Sequence, residues 1–127
     1  MKAKNTLRPT GHLTLRVWRG AELVEVIEGK NLIVNLGLDA MAAAIGGVVD
    51  QVITSFGAGA SGTSPTSADT SLTAPFTKAI DTVTYPSPGI VVFTFSMANG
   101  EGNGATYQEW GLFTTAGDLF SRKTSTA

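Results

Sequence analysis

Residues 12–18 alternate strictly, with Leu13, Leu15 and Val17 on one face and His12, Thr14, Arg16 and Trp18 on the other. A period of two is that of a strand with one buried and one wet face. Arg19-Gly20-Ala21-Glu22 supplies turn chemistry, and residues 23–28 alternate again, which predicts a hairpin. Gly29-Lys30-Asn31 reads as a break before the apolar Leu32-Ile33-Val34. Leu38, Met41, Ala42 and Ile45 then recur at helical spacing, so a short helix is expected over residues 37–45, densest in residues 39–45, capped by Asn35 and stopped by Gly46-Gly47. Residues 52–56 form a buried-strand pattern, residues 57–75 a long irregular loop, and residues 76–85 and 90–97 a second hairpin closed by Pro86-Ser87-Pro88-Gly89. After the glycine-rich residues 99–104, strands are predicted over 105–113 and 119–123 with a turn at 116–118. The economical architecture is all-β: one antiparallel β-sandwich with one short α-helix, because each strand buries one face and two layers bury them against each other.

Composition adds a tendency to associate. Among 127 residues only 15% are charged and the net charge is −1, while 15 glycines and 5 prolines match a turn-rich β protein. A chain of this length forms one domain, and mean hydropathy of +0.15 is too high for disorder. A near-neutral, charge-poor surface favours assembly over a lone monomer. The 0 cysteines exclude disulfides, and there is no membrane-length apolar run and no signal-peptide core near the start, so synthesis in a cytoplasm is expected. Residues 1–10 read as a basic arm, with residues 11–127 as the sandwich. Lys2, Lys4, Arg8, Arg16 and Arg19 appear in the first 20 residues without an acid. Docking on an acidic protein neighbour suits them better than nucleic acid, since no aromatics interleave the charges. The arm and the 57–75 loop are accordingly expected to be ordered mainly by neighbouring chains.

The candidate chemistry is sparse. Gly57-Ala58-Gly59-Ala60-Ser61-Gly62 matches a dinucleotide-binding turn, but the following Thr63-Ser64-Pro65-Thr66-Ser67 is ill suited to open the required helix. His12 is the single histidine, and a zinc site without cysteine would need at least three carboxylates. The 10 acids do not cluster. Glu109 stands apart, because Tyr107-Gln108-Glu109-Trp110-Gly111-Leu112-Phe113 is otherwise core-like; its plain reading is an outward acid paired with a Lys or Arg. No catalytic residue, cofactor or metal is expected. A carbohydrate-binding module is the alternative from another class, with Trp18 as the stacking aromatic and Tyr85 and Tyr107 as its neighbours.

Three stretches, taken in order, resemble a family of small virion proteins of tailed bacteriophages. They are Asn31-Leu32-Ile33-Val34-Asn35-Leu36-Gly37-Leu38; Ile53-Thr54-Ser55-Phe56-Gly57-Ala58-Gly59 with Pro65, Asp69-Thr70-Ser71-Leu72 and Lys78-Ala79; and Glu109-Trp110-Gly111-Leu112-Phe113 with Gly117 and Leu119-Phe120-Ser121-Arg122. The resemblance implies a viral structural protein, non-enzymatic and located in the virion. It points to a tail fibre or tail-associated component, with a capsid decoration (cement) protein as the alternative. The implied partners are other virion proteins and further copies of the chain, with no membrane. Lys2, Lys4, Arg8, Trp18, Glu109, Trp110 and Arg122 are the expected subunit contacts. Relatives continue after the Leu-Phe-x-Arg strand into one more strand, so an open edge is expected beside the last strand here.

Overall fold

A computed structural model describes residues 9–98 and 100–125. The first hairpin forms as the alternation predicts: β1 (Gly11–Arg19) and β2 (Glu22–Ile33) pair antiparallel, with Leu15 opposite Ile27 and Leu13 opposite Gly29. β2 runs straight through Gly29-Lys30-Asn31, which was expected to break it. Gly29 has φ +150°, a backbone conformation that favours glycine, and a Cβ there would make only ordinary contact with Lys123 at 3.4 Å. The helix α1 (Asn35–Ile45) starts earlier than expected. Val34 occupies its N-cap without a side-chain bond, and Asn35, rather than capping, donates its amide to Ser67 O at 2.8 Å.

After a single 3₁₀ turn (Val49–Gln51) come β3 (Ile53–Gly59), the 60–75 loop, and β4 (Phe76–Ala79). The one strand expected over 76–85 is two, because the chain changes partner at its middle. Ile80 still donates its amide to Thr54 O of β3, whereas Asp81 donates to Thr94 O of the next ribbon. That ribbon is β5 (Thr82–Ser87) with β6 (Ile90–Thr94). β7 (Glu109–Thr114) and β8 (Leu119–Thr124) follow, β7 starting four residues later than the pattern suggested.

The fold is all-β with one short helix. Its main sheet has six antiparallel strands in the order β1-β2-β8-β7-β3-β4, and β5–β6 forms a separate two-stranded sheet. β8 lies between β2 and β7, so the open edge expected beside the last strand is not there; the ends of the sheet are β1 and β4. Alternation along β3 and β7 divides the core. Ala58 and Trp110 join Leu13 on one face, covered by Phe95, Met97 and Tyr107 from the chain after β6, with Phe95 stacked on Phe56 at 4.3 Å between ring centroids. On the other face Val34, Leu72 and Leu119 cluster with Leu36 and Phe113, so the covering layer there is the 60–75 loop and the start of α1. Gly57 and Gly111 leave space for this cluster, since a Cβ on Gly57 would lie 2.7 Å from Phe113 and 3.2 Å from Leu72, and one on Gly111 2.9 Å from Leu119.

Candidate functional site

The chemistry of the second face centres on Glu109. Gly59 is its ladder partner on β3, and a Cβ there would lie 2.6 Å from Glu109 Oε2, so the glycine is the space the carboxylate fills. Arg122 enters from β8 as the ladder partner of Gly111, two positions along β7 from Glu109. Arg122 Nε donates to Glu109 Oε1 at 2.8 Å, and the amides of Ser61 and Thr73 donate to Oε2 at 2.9 and 2.8 Å. Arg122 Nη1 and Nη2 reach out to Asp69 Oδ2 at 2.9 Å and Ser61 O at 3.3 Å. Asp69 in turn accepts from the amide and the hydroxyl of Thr66, both at 2.9 Å.

Glu109 and Arg122 are 1% and 3% exposed. Burying two such ions is tolerable only when the pair is close and the remaining hydrogen-bonding positions are filled, and here they are. Burial acts to raise the Asp69 carboxyl, but the Thr66 amide and hydroxyl and the Arg122 guanidinium outweigh it, holding its pKa below the ordinary value of 3.8. A carboxylate saturated by a guanidinium and two amides is suited to anchoring a loop. The cluster ties Ser61, Thr66, Asp69 and Thr73 to β7 and β8, and Ala60 N–Thr73 O and Gln108 Nε2–Ala60 O bonds close the loop's base. The loop is therefore held within its own chain, which corrects the expectation that neighbours order it.

The residues expected to make subunit contacts separate into three groups. Lys2, Lys4 and Arg8 lie outside the described residues, as does most of the basic arm. Glu109, Trp110 and Arg122 are buried within the chain: Glu109 faces inward rather than outward, and Trp110 packs with Leu13 and Ala58. Their contacts are thus intramolecular. Trp18 is 56% exposed near the tip of the β1–β2 hairpin. Of the aromatics considered for sugar stacking, Tyr85 lies on the separate β5–β6 ribbon, and Tyr107 is half-buried with its hydroxyl donating to Gly102 O at 2.6 Å. The three stand on three different segments. Gly57 and Gly59 of the dinucleotide-like motif belong to β3, and the loop that follows carries no helix to receive a phosphate. His12 is exposed on β1 opposite Lys30, and no group of three His, Cys, Asp or Glu side chains gathers among the described residues.

Sequence reasoning missed Asp69, which reads as a solvated loop acid. The available signal was Thr66-x-x-Asp69, a spacing that lets a carboxylate close back on an amide three residues earlier.

The surface has a different character. Every residue of β5 is exposed, and Val83, Tyr85, Ile90, Val91 and Val92 present apolar side chains to solvent on the β5–β6 ribbon. The distal β1–β2 hairpin does the same with Val17, Trp18, Leu23, Val24 and Val26, since β2 has ladder partners on β8 only at Leu32 and Ile33. No protein family, curated protein or solved structure matches the chain.

Proposed function

We propose that this chain is a structural subunit of a tailed-phage virion, a tail-fibre or tail-associated protein in the first instance and a capsid cement protein in the second. The observation that carries an assembly role is the β5–β6 ribbon. A two-stranded ribbon on its own is marginal in water, and this one leaves apolar side chains exposed along both strands. Apolar patches of this kind mark contact surfaces. A subunit completed by neighbours buries them on incorporation. The virion setting, and the preference for the tail, come from the resemblance of the three sequence stretches.

Mass spectrometry of purified particles tests the proposal, followed by imaging with this chain labelled. Label at one vertex supports the tail placement, and label over the whole head supports the cement placement. Absence of the chain from particles overturns both.

A further inference from the structure

We propose that β1 is a self-association edge, on which two copies of the chain pair Gly11–Arg19 antiparallel about a two-fold axis through Leu15, joining their six-stranded sheets into one. This deepens the assembly reading by naming a partner and a register.

β1 ends the main sheet, and among the described residues its only ladder partner is β2. It is nine residues long and uninterrupted: the extra residue of the hairpin's bulge is Val24 on β2, between the pairs Val17–Glu25 and Trp18–Leu23. A long regular edge carrying apolar residues is a template for another strand. The opposite end of the sheet is poorly suited to the same role. β4 is four residues long, and its Lys78 is tied to Ser96 O and to Glu101 by the chain that follows β6. The outer half of β2 is also unpartnered, but the Val24 bulge bends it and Glu22, Glu25 and Glu28 line it.

The register follows from the backbone. Alternate residues of β1 turn their N–H and C=O toward β2, and the others turn them outward. Two such edges bond only when outward residues oppose outward residues, which also sets apolar Leu13, Leu15 and Val17 against their own kind. One such alignment pairs the full strand: Leu15 with Leu15, Leu13 with Val17, Thr14 with Arg16, His12 with Trp18 and Gly11 with Arg19. Sliding by two residues one way sets Arg16 against Arg16, and the other way leaves Trp18 and Arg19 unpaired. Like charges directly opposite are unfavourable.

The charges do not oppose this alignment, which sets Arg16 opposite Thr14 rather than against its own kind. Arg16 and Glu28 have no ion-pair partner among the described residues. In the dimer Arg16 lies beside Thr14 of the second copy, and beyond that short side chain stands Thr14's own β2 partner, Glu28. Within one chain Arg16 and Glu28 are already diagonal neighbours across the β1–β2 ladder, nearer than the two-strand span that separates them in the dimer, so the charges tolerate this alignment without selecting it.

The full chain contains no cysteine, so introduced thiols report without background. Directly opposed positions bring Cβ atoms to about 4.5–5.5 Å, near the distance a disulfide spans. Thr14→Cys/Arg16→Cys, both at exposed positions, is expected to form a disulfide-linked dimer under mild oxidation, at least about ten-fold faster than either single variant. Leu15→Cys is expected to link to itself. Sedimentation velocity of the unmodified chain is expected to show a dimer, weakened by Val17→Lys. A monomer throughout the concentration series overturns the proposal. A dimer in which the double variant stays unlinked, or in which Val26→Cys on β2 links instead, overturns it as well. The virion reading fails on different grounds, the absence of the chain from particles.

Discussion

Replacing Glu109 with alanine removes the acceptor of three hydrogen bonds at once. Arg122, only 3% exposed, keeps Asp69 and Ser61 O but loses its buried counter-ion, and the amides of Ser61 and Thr73 lose their acceptor. Breaking a buried ion pair from one side costs about 3–5 kcal/mol, and each orphaned buried amide about 1–3 kcal/mol more unless water reaches it. The surviving bond to Asp69 and hydration of the freed loop offset part of this, leaving about 4 kcal/mol. For a domain of this size that lowers Tm by about 12–20 °C. Thermal unfolding followed by circular dichroism measures the shift, with Glu25→Ala, at an exposed position, as the control that moves little. Hydrogen exchange adds a local readout: the amides of Ser61 and Thr73 are expected to lose protection in Glu109→Ala. A Tm within about 2 °C of the parent, with those amides still protected, would show that the cluster does not hold the loop.

Acid should loosen the same loop, because the Asp69 pKa is lower in the folded chain than its ordinary 3.8. Its contribution is present in full above that value and is lost as pH falls through the folded pKa, so the protection factor of the Thr66 amide, its exchange corrected for the intrinsic pH dependence, should fall in that window and hold steady between pH 6 and 8. Glu101, whose pKa is lowered by its bond from Lys78 and by the Ala98 amide, adds to the loss in the same direction. Gly37→Ala places a Cβ against the Phe120 carbonyl and should cost about 1–3 kcal/mol by prising α1 from β8, read as a reduced midpoint in urea. Tyr85→Ser, at a site 76% exposed, should leave stability within about 0.5 kcal/mol yet reduce incorporation into particles; normal incorporation would count against the ribbon as a contact.

The strands that alternate cleanly were legible in the sequence, and the hairpin of Leu13, Leu15 and Val17 formed where its pattern placed it. What was not legible is long-range. The partner change at Ile80-Asp81 leaves no mark in local periodicity, since both halves are extended and differ only in which strand they bond. Gly29-Lys30-Asn31 carries the composition of a break, but pairing with β1 overrides it. The Glu109 site was half visible. An acid in a core-like strand signalled a special position, and an Arg partner was anticipated, but its inward orientation depends on Gly59, and on Asp69 and Ser61 brought from a loop that reads as solvated.

β8 also bears on the order in which the fold assembles. It is the piece that joins β2 to the β7–β3–β4 group, and the bond from Asn31 to Ser121 spans 90 positions of sequence. The β1–β2 and β7–β8 hairpins are local and need little loop entropy to close. Docking one on the other must overcome a closure term of about 4 kcal/mol for a loop of this length, with Leu32 and Ile33 as the only ladder positions on the β2 side. Folding is thus expected to wait on that docking, in the slow range of proteins dominated by distant contacts. Until then the first hairpin is a lone two-stranded ribbon, marginal in water, so β1 becomes a firm template for a second copy only once β8 has docked.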